Sequence, residues 1–258
     1  SCVKKQCELL ETQHAILNGP QKPILLLKKK EDTILAPSVA PDNPNVGIMI
    51  PYAPVQVLIF NYPDEYKISD YLIMTSANPS GAPICCNDKE VIKYILPICD
   101  AVLSNNREIR MRCDDSVMSW HENKPYMIRR SRGYSPIPFM LSFDDSQILT
   151  KENPSVENKA KSVLAIGGEL KNTFCISKND LFYPSPYIGD LADVRSIETL
   201  KNEIELFSSL LEVKPDAIVC DMHPKYNSTL VAEELSSKFN IPLYKVQHHF
   251  AHVVSCMA

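Results

Sequence analysis

The sequence has no apolar run approaching the ~20 residues needed to cross a bilayer; stretches such as 24–27 and 46–50 are far shorter, so no membrane span is expected. Residues 1–13 carry lysines and glutamates and no apolar core, which excludes a secretory signal there. No CxxC pair occurs among the nine cysteines, so no zinc ribbon is encoded. Cys2 and Cys7 are five apart, Cys85 and Cys86 adjoin, and the rest are scattered. An odd number at such spacings fits reduced, mostly buried thiols in a cytoplasmic protein better than a disulfide framework. A basic excess is also missing: net charge is −4 and the pI about 5.9, which disfavours nucleic acid as the main partner. No internal repeat is visible.

What is present suggests two domains. The 258 residues, 45% of them apolar, suffice for two packed cores at ~100–200 residues each. Runs 22–27, 46–50, 71–74 and 101–103 are short, rich in branched residues and bounded by Pro, Gly, Asn or Asp, which predicts strands. Segments 53–60 and 89–96 have the length and periodicity of short helices. Residues 115–120 and 125–129 flank a hairpin loop at 121–124. With Pro37, Pro41, Pro44, Pro51 and Pro54 in one window, the first part reads as an α+β domain with stiff loops, over 1–141. Residues 142–161 are polar and read as a linker. A second rhythm then begins. It runs strand 162–166, Gly167-Gly168, strand 173–177, a turn at 178–180, an amphipathic helix 196–211 and strand 217–220. Helix 228–239, strand 242–246 and a helix from His248 follow, giving an α/β sheet domain over 162–258. The pattern stops without a cap, so this domain is expected to be incomplete.

Three clusters are rich in chemistry. The run Thr75-Ser76-Ala77-Asn78-Pro79-Ser80-Gly81 crowds hydroxyls, a carboxamide and a glycine at a predicted strand end, where small donors can serve a phosphate. The same composition also makes an ordinary polar turn. Arg107, Arg110, Arg112, Arg129, Arg130 and Arg132 follow; their forks suit phosphate or carboxylate, or simply a solvated basic edge. Last, Val246-Gln-His-His-Phe-Ala-His252 places His248 and His252 four apart, so on a helix both imidazoles leave one face. Such pairs are often incidental. Cys256 continues that face, but its Cα would lie roughly 12 Å from that of His248 on a straight helix, so it reads as core packing. Asp221 and His223 end a neighbouring strand.

The segments Leu72-Ile-Met-Thr-Ser-Ala-Asn-Pro-Ser-Gly-Ala-Pro83, Arg112-Cys-Asp-Asp-Ser-Val117 and Ile128-Arg-Arg-Ser-Arg-Gly-Tyr-Ser-Pro136 resemble the YrdC-like domain of the HypF family, carbamoyltransferases of [NiFe]-hydrogenase maturation. Leu164-Ala-Ile-Gly-Gly-Glu-Leu-Lys-Asn-Thr-Phe-Cys175, Ile188-Gly-Asp-Leu191 and Cys220-Asp-Met-His-Pro-Lys-Tyr-Asn-Ser-Thr229 resemble that family's actin-like ATPase domain, a relative of the tRNA threonylcarbamoyltransferase subunit. The resemblance implies an α+β YrdC-like domain followed by an α/β actin-like domain. It implies carbamoyl adenylate made from ATP, with Mg2+, and carbamoyl phosphate, then carbamoyl transfer to the C-terminal cysteine of HypE. It places Ser76, Asn78, Ser116, Arg129 and Arg132 around the nucleotide, and Lys171, Asn172 and Thr173 in a turn whose amides can face a phosphate; a plain hairpin is the alternative for that turn. It makes His248 and His252 ligands of zinc or iron. No general base stands out.

The sequence departs from the family at Phe250, where a histidine is usual, and at Pro186-Tyr187, where Gln-His is usual. The family's acylphosphatase-like domain, CxxC modules and C-terminal phosphate and metal segments have no counterpart in these residues. This stretch alone is therefore expected to be inactive and to bind metal weakly. Two rivals remain: a tRNA threonylcarbamoyladenosine protein, and a non-catalytic module that binds nucleotide or HypE.

Overall fold

The computed structural model describes residues 2–63, 65–66, 68–141 and 162–257. The expected linker, 142–161, lies outside the described residues. The chain divides into two compact units, one of residues 1–76 and 114–134, the other of 77–113 and 135–258.

The first unit opens with helices α1 (Cys2–Gln6) and α2 (Glu11–Asn18) and contains a four-stranded sheet in the order β2-β1-β3-β4. Strand β1 (Ile24–Lys28) alternates, turning Leu25 and Leu27 fully inward, as a half-buried strand should. It pairs antiparallel with β2 (Asn45–Ile48) and parallel with β3 (Val117–His121). The expected hairpin joins β3 to β4 (Lys124–Arg129) through Glu122 and Asn123, both left-handed (φ 47° and 63°), the conformation of a tight two-residue hairpin turn. Cys7, Leu17, Leu25, Leu27, Val46 and Met118 form the core. The predicted helix near 53–60 is α3 (Pro54–Asn61), started by a proline whose missing N–H costs nothing at that position.

Two expected strands do not form. Residues 71–74 and 101–103 have no regular structure, and Ile73 and Leu103 are 82% and 83% exposed. Short branched runs have strand propensity, but a strand exists only when a neighbouring ladder satisfies its backbone, and none does so here among the described residues.

The second unit carries α4 (Asp88–Tyr94) and a six-stranded sheet in the order β10-β9-β6-β7-β8-β5. Strands β6 (Val163–Ala165), β9 (Ala217–Asp221) and β10 (Leu243–Val246) are mutually parallel. Strands β7 (Cys175–Lys178), β8 (Leu181–Pro184) and β5 (Phe139–Met140) extend the sheet antiparallel from β6. Helix α5 (Val194–Leu211) buries Ser196, Thr199, Leu200, Glu203, Ile204 and Phe207, the i, i+3, i+4, i+7 stripe expected of a helix lying on a sheet. The Asp193 side chain caps its first turn by accepting the Arg195 N–H. Helix α6 (Asn227–Phe239) ends on Asn240 in the left-handed conformation that asparagine tolerates. Phe207 meets Phe174 edge-to-face at 5.4 Å within a core that includes Leu164, Ile176, Leu191, Ile218 and Val231. Helix α7 (His248–Ser255) closes the described chain with no buried residue.

The cysteines need correction. None of the nine is in a disulfide, but only Cys7, Cys85 and Cys220 are buried; Cys2 and Cys256 are exposed. Cys256 does not pack in a core, because α7 carries its apolar residues without a covering element among the described residues.

Glu203 supplies a pH-dependent feature. Its side chain is buried, Oε1 accepts the Arg112 backbone N–H at 3.0 Å, and Oε2 has no hydrogen-bond partner. Burial pushes its carboxyl up from the usual 4.5 to about 7, against a smaller opposing pull from Arg112. A carboxyl raised on folding holds its proton more tightly in the native state. Its contribution is therefore greatest below about pH 4.5 and falls as pH rises through about 7, by roughly 3 kcal/mol at most. Glu203→Gln keeps the acceptor and removes the ionisation. The variant should match the parent in urea denaturation at about pH 4 and exceed it at about pH 8; parallel stability curves across that range would refute this.

Candidate functional site

Three adjacent parallel strands end together. After β6 the chain turns through Gly167 and Gly168, β9 ends on Asp221, and two residues beyond β10 stands His248. The register pairs Val246 with Asp221, and the Met222 N–H donates to the Val246 carbonyl, so the two strand ends are level. Loops beyond the carboxyl ends of parallel strands are where α/β sheets present ligand groups.

Asp221 is buried and His248 half-exposed, and the carboxylate faces the imidazole Nδ1 at 3.0 and 3.2 Å. One turn along α7, His252 brings its Nε2 to 3.1 Å from that of His248. The Gln247 side chain starts this helix by accepting the His249 N–H. A Cβ placed on Gly168 would lie 3.7 Å from His248 Cε1 and 3.9 Å from Asp221 Oδ2, so the glycine turn borders the same site. His223 is elsewhere in its interactions: its ring stacks on Tyr226 and its Nδ1 accepts the Lys225 N–H.

The donor chemistry suits a metal in part. Two imidazole nitrogens 3.1 Å apart can share an ion to which each stands ~2.0–2.1 Å away, as in zinc sites. Among the described residues no set of three or more His, Cys, Asp or Glu side chains is placed to hold one.

Lys171, Asn172 and Thr173 form the other wall of the glycine turn. Buried Asn172 donates its carboxamide N–H groups to the carbonyls of Ile166 and Gly168, at 3.0 and 2.6 Å, bracing the turn from within. The Lys171 amide, in left-handed backbone, donates to Asp190. Glu169 accepts from Asn227 and from the Ser228 N–H at the start of α6. Thus the structure brings the Lys171–Asn172–Thr173 turn and the histidine pair to one end of one sheet.

The residues expected around the nucleotide are placed as follows. Ser116, in the first unit, is fully buried; it accepts the Ser131 N–H and donates to the Arg132 carbonyl. Arg132 binds Asp115 at 2.6 Å, donates to the carbonyls of Gln21 and Lys22, and lies 3.6 Å over the Tyr52 ring. Arg129 stands 3.6 Å from Asp114, whose carboxyl burial pushes up while Arg129 opposes. Ser76 is exposed. Asn78 folds its own loop by donating to the Pro79 and Ala82 carbonyls, leaving a buried Oδ1 with no hydrogen-bond partner. Arg112 is held by Glu90 and the Ile84 carbonyl. No helix among the described residues is long and apolar enough to cross a membrane.

Relatives extend this picture. A family model described as "HypF Kae1-like domain" matches residues 158–258, and the Sua5/YciO/YrdC model, described as "Telomere recombination", matches 1–131. A probable carbamoyltransferase HypF of Methanocaldococcus jannaschii is 36% identical over 97% of this chain, and carbamoyltransferase HypF2 of Cupriavidus necator 35% identical over 95%. The chain belongs to the HypF family. It spans about 30% of the length of these curated relatives. A full-length HypF crystallised in a phosphate- and nucleotide-bound form superposes with a TM-score of 0.84 at 37% identity, over 99% of this chain and 37% of that one. HypF of T. kodakarensis gives 0.85 at 33%, over 98% and 31%. The chain accordingly contains a YrdC-like α+β fold followed by a HypF Kae1-like α/β fold.

Sequence reasoning named Asp221, with His223, only as a first candidate for a further metal ligand. Its position after a buried strand was visible, but its meeting with His248 depends on β9 and β10 being neighbours, which no local pattern states.

Proposed function

We propose that this chain supplies the nucleotide-handling and metal-handling core of an ATP-dependent, cytoplasmic HypF carbamoyltransferase. In this reading carbamoyl phosphate is first hydrolysed to carbamate and inorganic phosphate; carbamate and ATP, with Mg2+, then give carbamoyl adenylate and pyrophosphate, and the carbamoyl group passes to the thiolate of the C-terminal cysteine of HypE, releasing AMP. The observation that carries it is the tandem order of a YrdC-like and a HypF Kae1-like segment along one chain. The phosphate- and nucleotide-bound form of a HypF relative supports a nucleotide as a substrate.

The chain's own groups suit these tasks unequally. Exposed Ser76 offers a hydroxyl to phosphate oxygens and Arg129 a guanidinium, while Asn78 spends its carboxamide N–H groups on shaping its own loop. Ser116 and Arg132 brace the segment that follows Arg129, through the contacts described above. In the turn of Lys171, Asn172 and Thr173 the Lys171 and Asn172 amides are taken by Asp190 and the Gly189 carbonyl, so its part is to brace the Gly167-Gly168 turn that borders His248. Zinc or iron bound by His248 and His252 would act there as a Lewis acid on the transferred group or its phosphate.

Carbamoyl-phosphate-dependent exchange of labelled pyrophosphate into ATP tests the first half-reaction. In a chain of the relatives' full length containing this segment, Asn78→Ala should lower exchange at least about tenfold, or ~1.4 kcal/mol. Unchanged exchange would return Asn78 to a purely loop-forming role.

A further inference from the structure

We infer that Asp221 is the positioning residue of the histidine pair, fixing His248 in the tautomer that bares Nε2. This deepens the proposed metal reading and rests on it for its consequence, though not for its geometry.

Asp221 ends β9 level with Val246 and is buried at its side chain. Its backbone is pinned, since its carbonyl accepts the Thr229 hydroxyl and the next amide donates to Val246. Both carboxylate oxygens are within 3.2 Å of His248 Nδ1. An ionised carboxylate only accepts hydrogen bonds, so His248 Nδ1 must be the donor. In a neutral ring the proton is then on Nδ1, and the lone pair is on Nε2, the nitrogen turned toward His252. Unconstrained imidazole favours the opposite tautomer, with the proton on Nε2. Asp221 therefore reverses the default, and at a metal site such a carboxylate also raises the basicity of the ligand.

The contact has a second consequence. With His248 Nε2 as acceptor, the 3.1 Å contact in the metal-free chain is a hydrogen bond donated by His252 Nε2–H. To offer Nε2 to an ion, His252 must transfer that proton to its Nδ1. Both rings are then neutral with both Nε2 lone pairs convergent. A glycine at 168 suits this arrangement, because any larger side chain would enter the space beside His248 Cε1 and Asp221 Oδ2.

Long-range proton–nitrogen correlation spectra of the metal-free 258-residue chain, labelled at histidine, read the tautomer directly. His248 should carry its proton on Nδ1. Asp221→Ala should move it to Nε2, and Asp221→Asn, whose Oδ1 can still accept, should leave it on Nδ1. Zinc affinity, measured by competition with a chromophoric chelator, should fall 10- to 100-fold in Asp221→Ala and less in Asp221→Asn. An Nε2–H tautomer in the parent chain would overturn the inference, as would an unchanged tautomer or unchanged affinity in Asp221→Ala. Should that variant fail to fold, the parent spectrum still decides. If the parent shows the Nδ1–H tautomer but binds no zinc, the metal reading fails and the positioning geometry stands.

Discussion

Replacing either His248 or His252 with alanine should abolish zinc binding by this chain, while Cys256→Ser should leave it intact. The two imidazoles bring their Nε2 atoms within 3.1 Å, so each supplies half of the donor set the described residues offer. A single remaining imidazole competes poorly with water for an ion that wants about four ligands. Cys256, at the exposed C-terminal end of α7, has no geometric claim on the same ion. With two donors the parent should bind zinc weakly and lose it on dialysis. Stoichiometric zinc retained through dialysis would contradict the two-donor account, and retention by either alanine variant would displace the site.

Gly167→Ala should be among the most damaging single substitutions in the second unit. Gly167 has φ of +81°, and a Cβ there would come within 2.1 Å of the Thr173 carbonyl oxygen, a backbone atom that cannot swing away. Left-handed backbone alone costs an L-residue about 1–2 kcal/mol. Relieving the overlap means opening the turn and losing Asn172's bonds to the Ile166 and Gly168 carbonyls, each worth about 1 kcal/mol net and more when a buried group is stranded. The expected loss is about 4 kcal/mol or more by urea denaturation, a large share of the stability of an ordinary domain. A loss under about 1 kcal/mol would mean that the turn is held by something other than close backbone packing. Because Gly168 borders His248, a folded Gly167→Ala chain should also bind zinc less well.

Elements whose signal is local were legible in the sequence. The stripe of Leu200, Ile204 and Phe207 announced α5, and the short, bounded apolar run at 22–27 announced β1. The Glu122–Asn123 turn followed from its setting between two apolar runs. Residues 71–74 have the same composition as a strand and form none, because pairing is a property of the neighbour rather than of the segment. Strand β8 and the short β5 were missed for the converse reason. The β8 sequence is only four residues long and ends on Pro184, yet β7 and β5 complete its ladder. At the site, the spacing of His248 and His252 was readable because one helical turn sets it. The partnership of Asp221 with His248 spans 27 residues and depends on strand order. Arg132 illustrates a further limit: its place in a run of arginines suggests an anion site, yet its donors reach Asp115 and two backbone carbonyls.

The most direct test of the proposed activity is the mass of the C-terminal peptide of HypE. HypE should be incubated with carbamoyl phosphate, ATP, Mg2+ and a chain of the relatives' full length containing this segment, with and without ATP. The account predicts a carbamoyl adduct on the terminal cysteine that requires ATP and disappears with His248→Ala. An unmodified cysteine under complete conditions, or carbamoylation that persists without ATP, would contradict it.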